Sequence, residues 1–462
     1  MLSPVTNLPL TFTFKFQLFE ASRNGNVETM KQLLENSADA SQLVLQVDKW
    51  QESALHGALN TEVAQLLVDS VDANDLPKFL CLSNYLGNTA LHAASRENKP
   101  TIAKYLCSLE PELLLLKDQD DGNTPLHLAF AKETLQAMIE SIPECSKKDY
   151  MFIKNKYGQT PLHVLTDRNH FDNPPFTDSS NVQPSAVEYY LNVAPDLEEL
   201  LLEKDCAGRT ALHYAETEET VTLLVDAAED QMSYINMADN EGLTALMVMA
   251  IDANATTLQS TLEYMEDLGL DLVSSLLKTN KKGQNIFHVS SMSPVVDKLI
   301  TVLQDYIEDV GVENILVPDV FSNTPLTYLV GRYSTSAFAE FMMKTPFWKR
   351  RELLSKKNIN GVTSRSVSEK GVFVEEYYLK EILCTENKFF GGFAVESYTL
   401  KYRSMSPVAW TFGSDSKYNA DIFRIMKYSL NEYSPLDLQV AKYSQVDDSS
   451  LVISSSQTEQ VS

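Results

Sequence analysis

The segment Thr124-Pro-Leu-His127 decides the fold, because close copies of it recur along the chain. Four copies share its pattern: Ser53–His56, Thr89–His92, Thr160–His163 and Thr210–His213. More divergent copies follow at Thr244–Met247, Asn285–His288 and Thr324–Thr327. Subtracting the positions of the fourth residues gives successive steps of 36, 35, 36, 50, 34, 41 and 39 residues. A period of this size predicts an array of stacked structural repeats rather than a single globular core.

A glycine stands two residues before most of these copies. A hairpin turn at this place needs a backbone with positive φ, which glycine adopts without steric cost. The Thr that follows can cap a helix, and Pro or Ala next to it suits the first helical turn. Each repeat is therefore predicted to contain a hairpin turn followed by helices. The glycines are Gly87, Gly122, Gly158, Gly208, Gly242 and Gly283.

This pattern resembles the ankyrin-repeat family, whose period is about 33 residues and whose signature is T-P-L-H-x-A. The resemblance implies an all-α dominated solenoid of helix-turn-helix pairs with β-hairpin loops. In the family, the histidine ties neighbouring loops together through its ring nitrogens. This structural role is implied for the six residues that occupy the slot: His56, His92, His127, His163, His213 and His288.

The resemblance covers roughly residues 18–385 and predicts the domain organisation. An N-terminal extension (1–17) precedes ankyrin repeats at 18–265, in which a polar Pro- and Asn-rich loop is inserted at 167–184. The pattern weakens in the later repeats, where Met247 and Thr327 cannot reproduce the histidine contact, and residues 266–385 are predicted to form degenerate ankyrin-like repeats. The aromatic-rich segment 386–447 predicts a small C-terminal cap or domain of α or α+β type, with a helix at Asn419–Leu430. The Ser-rich end, 448–462, is predicted to be disordered.

Composition excludes several classes of function. With 38 Lys and Arg against 63 Asp and Glu, the chain has a formal charge of −25, which disfavours direct binding of nucleic acid. The sequence lacks a signal-peptide pattern and an apolar run long enough for membrane insertion. The five scattered cysteines indicate free thiols in a reducing compartment, without a disulfide framework or zinc motif. We therefore expect a soluble protein of the cytosol or nucleus, with no metal and no cofactor.

Catalysis is an alternative hypothesis with little support from motifs. Phosphate-binding and zinc-protease motifs are absent. Only His170 falls outside the repeat slots, and a cysteine-dependent protease or transferase in the C-terminal half would have to use a residue such as Cys384. In that case the repeats would recruit the substrate. The chain is otherwise predicted not to be an enzyme.

The hairpin tips are the predicted binding surface, because their side chains are not needed in the core. Large aromatic side chains on exposed tips are candidate anchors for a protein partner, although each could instead pack on its neighbouring tip. A negative spot on one tip would suit a basic partner. A monomer that docks a protein partner through its tips and concave face is the expected form. The candidate binding residues are Trp50, Tyr85, Leu86, Asp120, Asp121, Tyr157 and Phe321.

In its general style the chain is also similar to ankyrin effectors of intracellular bacteria such as Legionella. It is acidic, carries degenerate later repeats, and ends in a polar tail that contains Ser and Glu. The resemblance implies secretion by a type IV system, with a signal near the C-terminus. It further implies a role in virulence through a host protein as the partner.

Overall fold

The computed structural model describes residues 10–167, 184–311, 315–331 and 356–361, together with four short strands near the C-terminus. The chain divides into two compact units, unit 1 (Met1–Lys281) and unit 2 (Lys282–Ser462). The predicted cap helix at 419–430 and most of the predicted insertion at 167–184 lie outside the described residues. The predicted domain boundaries near 265 and 385 remain predictions.

Unit 1 is built from short helices that follow one another in pairs. This confirms the predicted helical array. A first pair, which includes Leu18 and Leu34, begins before the first clear signature. The helices are Leu10–Arg23, Val27–Glu35, Ala40–Val44, Thr61–Asp69, Leu76–Leu80, Ala90–Arg96, Pro100–Leu109, Pro111–Leu115, Pro125–Leu128, Lys132–Ile139, Glu144–Ser146, Lys147–Met151, Pro161–Thr166, Pro184–Val193, Leu197–Leu202, Ala211–Tyr214, Glu218–Ala227, Gln231–Ile235, Ala245–Ile251, Ala255–Asp267 and Leu272–Leu276.

Local sequence explains where the second helix of a pair begins and which face it buries. The Asn60 side chain accepts a hydrogen bond from the backbone N–H of Val63 at 3.0 Å, so it caps the helix Thr61–Asp69. On that helix Val63, Ala64 and Leu67 are fully buried. They recur at the spacing of one helical face, so each pair shields its apolar side against the next pair. Helices this short depend on such packing for most of their stability.

Unit 2 contains helices at the last two of the three divergent copies, Asn285–His288 and Thr324–Thr327, and a small antiparallel sheet. The helices are Ile286–Met292, Val296–Leu303, Gln304–Tyr306, Ile307–Val310 and Pro325–Gly331. The sheet has four strands, which in spatial order are Val408–Trp410, Tyr398–Leu400, Leu438–Val446 and Ser450–Gln457. In register, Tyr398 lies opposite Trp410, Leu400 opposite Leu438, and Val446 opposite Ser450.

One of these strands occupies a segment for which composition predicts a different state. Ser450–Gln457 lies within 448–462, where the Ser-rich sequence predicts a disordered tail. Leu451, Val452 and Ile453 follow its first residue, and the β-branched members of this run favour extended backbone. The polar composition of the whole segment hides this local preference.

Candidate docking surface and the contacts that support it

The six histidines of the repeat slot connect each repeat to the next one. In each case the ring Nδ1 accepts a hydrogen bond from the backbone N–H three residues earlier, as Thr89 N–H donates to His92 Nδ1 at 3.1 Å. The Nε2 atom lies 2.9–3.2 Å from a backbone carbonyl oxygen of the following repeat. These acceptors are Asn88, Asn123, Gln159, Arg209 and Leu243 in unit 1, and Asn323 for His288 in unit 2.

In the five copies that begin with Ser or Thr, this geometry fits a neutral histidine ring. Because Nδ1 accepts an N–H there, the single proton of the ring is on Nε2, which donates to the carbonyl oxygen. At His288, Nδ1 lies 2.7 Å from the Asn285 side-chain oxygen as well. Burial lowers the pKa of His92, His163 and His288 to about 4, and it also lowers the pKa of His56 and His213. Both ring nitrogens are already used, so neither is free to act as a base or a metal ligand. No group of three His, Cys, Asp or Glu side chains in the described residues could hold a metal ion.

Each repeat begins in a hairpin tip, and an Asp or Asn side chain organises the tip from within. We number the tips 1 to 9 by their first residues. In tips 1–6 and in tip 8, the side-chain oxygen of this residue accepts at least two backbone N–H groups of the turn. The sequence analysis missed this position. The first residues are Asp48, Asn84, Asp118, Asn155, Asp205, Asp239, Asn280, Asp319 and Asn358.

Neighbouring tips are also joined directly by backbone hydrogen bonds. The N–H of Tyr85 on tip 2 donates to the carbonyl of Trp50 on tip 1 at 3.1 Å. Four equivalent bonds of 2.8 Å continue along unit 1 as far as Asn240 on tip 6, whose N–H donates to Ala207. The tips of unit 1 are therefore held in fixed order, as one row of hairpins. Side chains that project from them are presented on a common edge.

A lysine contact reinforces the same row and was also missed from the sequence. Lys117, just before tip 3, donates from Nζ to the carbonyl of Lys154 at 2.6 Å. Lys154 donates to the carbonyl of Lys204, and Lys204 to that of Ala238, both at 2.8 Å. Each ammonium thus satisfies a backbone acceptor of the next repeat.

The predicted aromatic anchors of unit 1 lie on these tips and are exposed. Trp50 on tip 1, Tyr85 on tip 2 and Tyr157 on tip 4 are 43%, 56% and 51% exposed. Because tips 1 and 2 are hydrogen-bonded neighbours, Trp50 and Tyr85 follow each other along the row. Leu86, beside Tyr85, is only half-buried. We call the predicted residues of tips 1–4 (Trp50, Tyr85, Leu86, Asp120, Asp121 and Tyr157) the tip ridge.

The acidic pair on tip 3 is connected to the aromatic anchor on tip 4. The hydroxyl of Tyr157 donates to Asp121 Oδ1 at 3.0 Å, and this hydrogen bond raises the pKa of Tyr157. The ammonium of Lys156 donates to the backbone carbonyl of Asp120 at 2.8 Å. The Asp121 carboxylate therefore positions the Tyr157 ring, while Asp120 is exposed.

The remaining predicted anchor, Phe321, lies in unit 2. It is on tip 8, beside the exposed Val320, and its carbonyl accepts the N–H of Ile359 on tip 9 at 3.1 Å. Val320, Phe321 and Ile359 together form an exposed apolar patch of unit 2.

The residues of the alternative catalytic hypothesis, Cys384 and His170, lie outside the described residues. Among the described cysteines, Cys107 is buried within a helix, and burial raises the pKa of its thiol to about 12. This thiol is protonated at neutral pH, which makes it a poor nucleophile. Among the described residues, none of the helices has the length and apolar character needed to cross a lipid bilayer.

Paired helices, hairpin tips and buried histidines between them define an ankyrin-repeat solenoid. Residues 18–115 match the family described as ankyrin repeats, in three copies. No curated protein matches the chain. Among solved structures, the chain is similar to the ankyrin repeat domain of Bcl-3, a unique member of the IkappaB protein family, with 18% identity and a TM-score of 0.37 over 61% of this chain and 97% of that one. It is also similar to the ankyrin repeat protein EF0377, with 19% identity and a TM-score of 0.34 over 45% and 96%.

Proposed function

We propose that this protein is a scaffold that binds a protein partner through the tip ridge. The observation that carries the proposal is the exposure of three large aromatic side chains, Trp50, Tyr85 and Tyr157, on tips held in one row by hydrogen bonds. Exposed aromatic side chains on a rigid frame lose little conformational entropy on binding, and they dominate the energetics of many interfaces. Ankyrin repeats, moreover, generally mediate interactions between proteins.

The scaffold proposal predicts a large loss of binding when the anchors are removed. The combined variant Trp50→Ala, Tyr85→Ala and Tyr157→Ala should weaken partner binding by about 100-fold or more, because interface anchors contribute at least about 2 kcal/mol each. The measurement is quantitative affinity capture from host-cell extract, followed by titration of the recovered partner with the purified wild-type and variant proteins.

A matched control variant tests whether the loss of binding is specific to the tip ridge or follows from the loss of any exposed apolar side chains. Leu109, Leu202 and Leu268 are 37%, 42% and 39% exposed at helix ends of unit 1. The triple alanine variant of these leucines should bind as the wild type does. Equal thermal unfolding midpoints would show that both variants remain folded. Full binding by a folded ridge variant would refute the proposal.

We further propose that Phe321 contributes to a second docking area, on unit 2. The support is its exposure beside Val320 and Ile359, because adjoining exposed apolar side chains on a folded domain often mark a contact surface. This area belongs to unit 2, whereas the tip ridge belongs to unit 1.

The partner is proposed to be a host protein, with the chain acting as a secreted effector of an intracellular bacterium. The support is the resemblance in composition and repeat style to such effectors. Deletion of residues 447–462 is expected to abolish delivery through a type IV system in a translocation reporter assay. Undiminished delivery of the truncated chain would argue against a signal in the tail, and failure of the full-length chain would argue against the effector role.

A further inference from the structure

The charge of this protein is concentrated in the unit that carries the tip ridge. Residues 1–281 contain 19 Lys and Arg against 42 Asp and Glu, a formal net charge of −23. Residues 282–462 contain 19 against 21, a net charge of −2. A field of this sign attracts cationic molecules to unit 1 and repels anionic ones over about one Debye length, roughly 8 Å at physiological salt.

The tip ridge also offers local groups that bind cations. Among the described ion pairs, none involves the carboxylates of Asp120 and Asp121, and the nearby Lys156 ammonium donates to a backbone carbonyl instead. At the other end of the ridge, the Lys49 ammonium lies 4.0 Å from the centre of the Trp50 ring. The Trp50 indole therefore already holds a cation in the geometry of a cation–π contact, and an ammonium or guanidinium group of a partner would take the place of Lys49. Along the row, the aromatic rings of tips 1 and 2 are followed by the carboxylates of tip 3 and the Tyr157 ring of tip 4.

The spacing between neighbouring tips determines which peptide conformation could lie along the tip ridge and contact every tip. Each tip is a hairpin of two chain segments, and a backbone hydrogen bond joins it to the next tip. Neighbouring tips are therefore separated by two interstrand spacings of about 4.8 Å, which gives a distance of about 10 Å from tip to tip. A polyproline II helix advances about 9.3 Å in each turn of three residues. A segment in this conformation would present the same side of its chain to every tip of the ridge.

We propose that the partner segment is an extended, polyproline-like stretch with Lys or Arg at every third residue, bound along tips 1–4. Its cations contact the Trp50 and Tyr85 rings, the carboxylates of tip 3 and the Tyr157 ring in turn. The intervening residues face solvent. This inference rests on the proposed docking function of the tip ridge, and it adds the chemistry and the spacing of the partner.

The test uses the full-length protein and labelled synthetic peptides, with fluorescence anisotropy as the readout. The probe has four Pro-Pro-Arg triplets. One control peptide has the same composition with its four arginines adjacent, and a second has Glu in place of Arg. We expect the triplet peptide to bind at least about 10-fold more tightly than its rearranged isomer, and the Glu peptide not to bind. Binding should weaken as salt is raised towards about 0.15 M.

Substitutions in the tip ridge test whether the triplet peptide binds there. The double variant Asp120→Asn, Asp121→Asn removes two negative charges and keeps a side-chain oxygen that can accept the hydrogen bond of the Tyr157 hydroxyl. It should lower the affinity for the triplet peptide about 10-fold. The triple alanine variant of Trp50, Tyr85 and Tyr157 should lower the affinity for the triplet peptide further. The leucine control variant should bind as the wild type does.

The results distinguish this inference from the docking function itself. If the triplet peptide fails to bind, or binds no better than its isomer, while the aromatic variant still loses its captured partner, then the inference is overturned and the docking function stands. If the aromatic variant keeps both the partner and the peptide, both proposals are overturned. Loss of both, with the leucine control unchanged, supports both.

Discussion

Replacement of Gly208 by alanine is expected to lower the free energy of unfolding by about 2–4 kcal/mol. This loss is the sum of two costs, that of a left-handed backbone at a residue with a Cβ and that of a broken hydrogen bond between two tips. Gly208 has φ +79°, a conformation that costs about 1–2 kcal/mol for a residue with a Cβ. A Cβ there would lie 2.7 Å from the backbone nitrogen of Asn240. That nitrogen donates the hydrogen bond to Ala207 that joins tips 5 and 6, so the tips would have to separate.

Gly269 provides the matched control for this substitution. Its φ is +68°, yet a Cβ at this position would meet nothing within 4 Å. Gly269→Ala should therefore cost only the backbone term, about 1–2 kcal/mol. Urea denaturation of both variants of the full-length protein measures the difference. Equal losses of stability would show that the close approach of the tips contributes nothing.

Acidification is expected to destabilise the protein steeply between pH 6.5 and pH 4. In the unfolded chain a histidine binds a proton below its ordinary pKa of about 6.5. In the folded chain the pKa values of His92, His163 and His288 are lowered to about 4, so these rings stay neutral over this window. The unfolded state then holds more protons, and each of these rings removes about 1.4 kcal/mol of stability per unit fall in pH.

One substitution isolates the contribution of a single ring. His92→Gln keeps a side-chain N–H that can donate to a carbonyl, and it removes the titrating group. Plots of unfolding free energy against pH, from urea denaturation between pH 5 and pH 6, should lose about 1.4 kcal/mol per pH unit of slope in this variant. An unchanged slope would mean that the folded ring of His92 titrates normally.

The repeat array could be predicted from the sequence because its signals are rare residues in fixed register. Six of the seven histidines stand in one slot, and glycines precede most copies at a constant distance. The Asp or Asn that organises each tip and the three lysines that join four successive repeats were not predicted. Both types are common in an acidic, polar chain, so their recurrence at one position of the repeat is hidden by similar residues elsewhere.

Exposure of the ridge side chains could be predicted, but their mutual contacts could not. Trp50, Tyr85 and Tyr157 stand in turns, where side chains have no place in the core. That Asp121 accepts the hydroxyl of Tyr157 depends on the offset between two tips 36 residues apart, which only stacking fixes. Phe321 was grouped with the other anchors by its position in the repeat, yet it lies in the second compact unit.

Site-specific photo-crosslinking tests the role of the tip ridge most directly. A benzophenone amino acid is placed at position 85 or 157, on the tips, or at position 109 or 268, at exposed helix ends. If the ridge contacts the partner, illumination of the bound complex links the partner at positions 85 and 157 and leaves positions 109 and 268 unlinked. Crosslinks at the helix ends alone would contradict the account, because the partner would then lie on a different surface of unit 1.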